Sequence, residues 1–145
     1  MSITEGSMTV LDDAACWERL ATQQVGRLVT HVGDLVDVVP INFVVDGESI
    51  VFRTASGSKL AGLTVNNAVA FEVDEIGEER GWSVVLHGRA HALETEAEIA
   101  AAEKLPLRPY VPTLKPTFVR VVVETLSGRA YEFGEEPRHE DVQEG

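Results

Sequence analysis

A single cysteine, Cys16, is all the thiol chemistry the chain has. One thiol cannot close an internal disulfide and is poor material for a structural metal site, so the expectation is a protein of a reducing compartment. No stretch approaches the ~20 apolar residues of a membrane span, and the N-terminal residues lack a basic start followed by an apolar run, which predicts a cytoplasmic protein. Basic residues are scarce as well: 12 Lys and Arg stand against 24 Asp and Glu, a formal charge of -12. An acidic surface repels nucleic acid and anionic lipid, so neither is an expected partner. There is no Gly-x-Ser-x-Gly nucleophile elbow, and the carboxylates gather in loops and helices where solvation is their default, so a hydrolase finds little support.

What is present is enough for one domain: 145 residues, 44% of them hydrophobic. Residues 1 to 10 are small and polar and read as a flexible N-terminal arm, and the domain itself is placed at 11 to 133. Residues 134 to 145 carry Glu135, Glu136, Glu140, Asp141 and Glu144 against Arg138, which reads as an acidic disordered tail. Asp12 or Asp13 can cap a helix reaching about Gln24, with Cys16, Trp17, Leu20 and Ala21 as its apolar stripe. Cys16 there is a buried filler rather than a nucleophile.

From Val25 the period changes to two. Val25 to Val32, Leu35 to Val45 and Ser49 to Thr54 form a meander joined by Gly33-Asp34 and Asp46-Gly47, dipeptides suited to tight hairpins. Pro40 cannot donate to a strand ladder and so predicts an edge, a bulge or an opening beside Pro40 to Phe43. A short helix over Ser58 to Val65, a strand over Ala68 to Val73, an acidic loop from Asp74 to Gly81 and a long strand over Trp82 to Leu93 follow. Thr95-Glu96-Ala97-Glu98 opens a helix to about Leu105 as a capping box. After a proline-rich connection, two last strands are expected at Thr117 to Leu126 and Arg129 to Phe133, around Ser127-Gly128. Six or seven short strands joined mostly by hairpins, with only short helices, predict a mainly β, closed antiparallel barrel.

The stretch Phe52 to Leu60 carries the most chemistry. Between Ser49 and Phe71 there is no Asp or Glu, and the only charges are Arg53 and Lys59. A phosphate ester needs charge-assisted donors from several directions: Arg53 offers a planar fork, Lys59 a compact ammonium, and Thr54, Ser56 and Ser58 hydroxyls. Gly57 and a helix starting near Ser58 would add backbone N–H groups. The plainer reading is an ordinary strand-to-helix turn, because Ser-Gly-Ser-Lys is not the longer phosphate-binding loop. His87 and His91 share a strand face, but four strand residues span ~13 Å, too far for two ligands of one ion, and Arg89 between them would repel a cation, so no metal site is assigned. Trp82, after Gly81 at a strand start, offers a flat face that can stack on an aromatic ligand.

Together these motifs resemble the flavin-binding split-barrel proteins related to pyridoxamine 5′-phosphate oxidase. The resemblance runs from about Leu11 to Tyr131 through Val-Gly-Arg-Leu at 25 to 28, Pro-Ile-Asn-Phe at 40 to 43, Phe52 to Leu60, Ala-Phe-Glu-Val-Asp at 70 to 74, and Gly81 to Ala90. It implies a homodimeric antiparallel split β-barrel holding FMN at the subunit interface. By that resemblance Arg53, Thr54, Ser58 and Lys59 cradle the phosphate, Pro40, Ile41 and Asn42 lie against the isoalloxazine, and Trp82 packs near the ring from the other subunit. The implied activity is a flavin-dependent oxidoreductase with a small-molecule electron donor or acceptor. Use of a deazaflavin (F420) is the nearest alternative, disfavoured by the few cations available for its anionic tail. A cofactor-binding carrier or sensor without turnover is another. A haem-binding relative, with His31, His87, His91 or His139 as ligand, is a third, although their spacing recommends none. The vitamin-phosphate oxidase activity itself is not expected, because the basic C-terminal segment of that enzyme is replaced here by an acidic tail.

Overall fold

The computed structural model describes residues 6–55, 63, 66–107 and 117–134. Among the described residues, the strands and helices with described bounds follow in the order β1 (Ser7–Leu11), α1 (Asp13–Ala21), β2 (Val25–Val32), β3 (Leu35–Asn42), β4 (Val44–Asp46), β5 (Ser49–Thr54), β6 (Ala68–Ile76), β7 (Arg80–Ala92), α2 (Glu96–Glu103) and β8 (Thr117–Glu132). All pairings are antiparallel, in the order β3-β2-β6-β7-β8-β5-β4, with β1 on the remaining length of β8. The two ends of this path, β3 and β4, are joined by Phe43 alone. A one-residue link between opposite edges forces the sheet to curl until they meet, and the result is a split barrel.

Local chemistry accounts for most boundaries. Gly33 and Gly47 sit at φ 59° and 61°, the left-handed backbone that their two-residue hairpins need. The Asp12 carboxylate accepts from Ala15 N–H at 2.8 Å and starts α1. Thr95 caps α2 by accepting from Glu98 N–H at 3.1 Å, while its hydroxyl donates to the Glu98 carboxylate at 2.8 Å. Here the glutamate of the capping box takes the cap hydroxyl.

Four sequence expectations change. Ser7–Leu11 is a strand rather than part of a loose arm, because the C-terminal third of β8 presents a free edge for it to pair with. The stretch read as an acidic loop is mostly ladder: β6 runs to Ile76 and β7 starts at Arg80. Helix α1 stops at Ala21, where the Thr22 hydroxyl and N–H both bond the Arg19 carbonyl. Finally, β8 is one strand of 16 residues through Ser127-Gly128. Gly128 is there for packing: a Cβ on it would lie 2.6 Å from Cys16 Sγ, so the missing side chain lets α1 press onto β8. The helix expected over Ser58 to Val65 lies, apart from Leu63, outside the described residues, as does the tail beyond Gly134.

The barrel core packs Leu28, Ile41, Phe52, Phe71, Val84, Leu86 and Val121 under Cys16 and Leu20 of α1. Phe43 closes the seam by meeting Phe71 edge-to-face, centroids 4.9 Å apart. A smaller cluster on the other side of β5 and β8 joins Val51 and Phe118 to Leu93 and Ala102, beneath α2. Burial, followed by the charges of Asp13 and Asp12, pushes the Cys16 thiol above its ordinary range, so it stays a packed, protonated filler. No helix among the described residues is long and apolar enough to cross a membrane.

Candidate cofactor site at the barrel split

Pro40 lies on β3, which pairs with β2 on one side only, so the proline occupies an edge strand, where its missing N–H costs no ladder bond. Ile41 points into the core, which turns Pro40 and Asn42 to the outer side. Immediately beyond, the chain enters β4 and pairs Val44 with Val51, and β3 contacts β5. Asn42 is therefore carried to the Arg53 end of β5. Two segments ten residues apart in sequence meet at the open seam of the barrel.

Arg53 shares the outer side of β5 with Val51, and its guanidinium carbon lies 4.6 Å from the centre of the Phe118 ring, its cross-strand partner. A guanidinium carries its N–H donors in its own plane, so contact with a ring does not by itself consume them. Thr54, the next residue, points to the opposite, buried side, and its hydroxyl donates to the Ala55 carbonyl at 3.1 Å. The structure thus separates the side chains of Arg53 and Thr54 across β5. Ser58 and Lys59 lie outside the described residues.

Asn42 carries the most telling feature. Its amide nitrogen is shielded from solvent and has no hydrogen-bond partner among the described residues. A buried donor left unpaired costs about 1–3 kcal/mol, so a ligand acceptor at this position would recover that cost. A flavin ring presents carbonyl oxygens along its polar edge, acceptors of the kind that this donor lacks.

The outer wall beside Pro40 was not singled out as a site in the sequence. Arg27, opposite Pro40 in the ladder, bonds Glu72 at 2.7 Å and Asp74 at 3.1 Å. Two carboxylates share one cation. Desolvation and the neighbouring Asp74 raise the Glu72 carboxyl above its ordinary 4.5, and Arg27 only partly offsets them. The same contacts push Arg27 up, chiefly through its hydrogen bond to Glu72. A carboxyl raised in the folded state contributes stability below its unfolded value and loses it as pH rises through the folded one. Glu72→Gln, which keeps the Asp74 partner of Arg27, is therefore expected to gain melting temperature over the wild type as pH rises from about 4 to 7. A constant difference across thermal scans in that range would contradict the assignment.

Trp82 is not brought to the seam of its own chain. It stands on β7, separated from β3 by β2 and β6, and packs against the core on the side covered by α1. His87 lies on the outer wall with its Nδ1 3.4 Å from the Thr125 hydroxyl, and Arg89 pairs with Glu124 at 3.2 Å. Among the described residues no three His, Cys, Asp or Glu side chains gather as a metal site would require.

Fold and seam together define a protein of the split-barrel class. The pyridoxamine 5′-phosphate oxidase family matches residues 12–130, and the chain belongs to it. A Corynebacterium diphtheriae protein of unknown function is 44% identical, with a TM-score of 0.75 over 86% of this chain and 98% of that one. An FAD-binding protein of Mycobacterium smegmatis is 37% identical, TM-score 0.73, over 86% and 98% of the two chains. A Corynebacterium glutamicum protein provisionally assigned as a pyridoxamine 5′-phosphate oxidase is also 37% identical, TM-score 0.79, over 88% and 96%.

Proposed function

We propose that the protein binds a flavin nucleotide at the barrel split and serves as a flavin-dependent oxidoreductase. The observation that carries this is the buried side-chain amide of Asn42, without a hydrogen-bond partner among the described residues, on an edge strand beside the end of β5 that carries Arg53. Family membership and the FAD-binding relative at 37% identity support it. In this reading Pro40, Ile41 and Asn42 receive the polar edge of the ring. Arg53 meets the phosphate, with Thr54 closing the strand end and Ser58 and Lys59 completing the cradle. FMN contains all that these residues address, and FAD contains the same ring and first phosphate. Bound flavin supplies the electron-transfer chemistry, and the protein supplies binding and orientation.

The second half of the site is proposed to come from another copy of the chain. Val36 and Val38 are 56% and 58% exposed on the outer side of β3, in the same line as Pro40, and exposed Val25 lies opposite Asn42. Apolar side chains in such a row are unusual on a face meant for water, and a two-fold partner would cover them while enclosing the ring. Trp82, which faces a separate hollow beside α1, is given no part in this site.

An absorption spectrum of the purified protein, followed by titration with FMN, FAD and a deazaflavin while the assembly state is measured, tests the proposal. A flavin spectrum or saturable flavin binding by a dimer is expected. Binding of deazaflavin alone would replace the cofactor, and binding of none would overturn the reading of the seam.

A further inference from the structure

A second hollow, of about 440 Å³, lies on the other side of the sheet, between α1 and the end of the barrel where β1, β8, β7 and β6 run side by side. The ladder explains it. Thr9, Ala130, Trp82 and Glu75 form one cross-strand row, and Ala130 is too small to fill the space between its neighbours. In the next row Arg80 stands opposite Glu132. Arg19 reaches the same hollow from the last turn of α1.

The charges there have not neutralised one another. Neither Arg19 nor Arg80 forms an ion pair among the described residues, although Glu75 and Glu132 line the same space, and the Arg19 Nε is shielded from water with no hydrogen-bond partner. The Glu75 carboxylate accepts from Gln23 at 2.8 Å, which holds it in place. An indole wall, two guanidinium groups with unused donors and a fixed carboxylate, in a volume of ordinary ligand size, make a recognisable combination. We propose that this cavity is a small-molecule site, distinct from the seam, for a planar aromatic carboxylate that also carries an N–H or O–H donor. The ring lies against Trp82, its carboxylate meets Arg19 and Arg80, and its donor faces Glu75. None of this depends on flavin binding.

Isothermal titration with indole-3-carboxylate as probe tests the site, in the protein as purified and again after saturation with FMN or FAD. One molecule per chain is expected to bind in both cases. Indole-3-methanol, which lacks the charge, should show no saturable binding, and 1-methylindole-3-carboxylate, which lacks the donor, should bind several-fold more weakly. Arg19→Gln should weaken the carboxylate about tenfold or more. Should that variant fail to fold, Arg80→Gln, on the exposed start of β7, carries the same expectation. No saturable binding to the wild type, equal affinity in the folded arginine variants, or displacement of the probe by flavin would overturn the assignment, the last by making the cavity part of the flavin site.

Discussion

Arg53→Ala is expected to weaken flavin binding about 10- to 100-fold while leaving the barrel folded. A charge-assisted hydrogen bond to a phosphate is worth roughly 1.5–3 kcal/mol, which sets that range. The guanidinium's contact with Phe118, 4.6 Å from the ring centre, is worth about 0.5–1 kcal/mol at a partly exposed site, and the thermal scan reads what its loss and that of the other Arg53 contacts cost the fold. Arg53→Lys separates the two contributions: it keeps the charge but not the planar fork, so it should recover only part of the affinity. Fluorescence titration with FMN, run beside a thermal scan of each variant, gives both quantities. Undiminished affinity in a folded Arg53→Ala protein would remove the phosphate from this end of β5.

Gly88→Ala carries the largest expected effect on stability. Between the His87–Thr125 and Gly88–Val123 pairs the register of β8 slips by one residue, a bulge that swings its backbone towards β7. A Cβ on Gly88 would stand 2.2 Å from the Val122 carbonyl oxygen and 3.0 Å from its carbon. These are main-chain atoms of the longest ladder in the molecule, so relief requires moving the strand rather than rotating a side chain. About 3 kcal/mol or more should be lost, and the melting temperature should fall by roughly 10 °C. A denaturation curve superimposable on the wild type would show that β8 does not bulge there.

How much of this could be read from residues alone depends on whether the cause was local. The Gly33 and Gly47 hairpins, the Asp12 and Thr95 caps and the edge position of Pro40 each follow from one or two neighbouring residues, and each appears where the chain chemistry puts it. Strand β1 was not legible, because Met8 and Val10 remain exposed and the strand exists only through the free edge of a partner more than a hundred residues later. Gly128 looked like a turn for a related reason: a glycine needed for close packing and one needed for a turn are the same letter until the helix pressing on it is known. At the seam, the polarity of Pro40 to Asn42 and the cations around Arg53 could be read separately, but their meeting required the strand order. The shared use of Arg27 by Glu72 and Asp74 likewise depends on β2 and β6 lying side by side, 45 residues apart in sequence. The Trp82 cavity was the least accessible, since its lining comes from four strands and a helix with no common motif.

The most direct test of the central claim is a nitrogen-15 NMR titration of the labelled protein with FMN, followed residue by residue. The account predicts that the Asn42 side-chain amide and the backbone amides of Ile41, Asn42, Arg53 and Thr54 shift most, and together, as flavin saturates. Saturable binding with those signals unmoved, and the shifts gathered elsewhere, would contradict it.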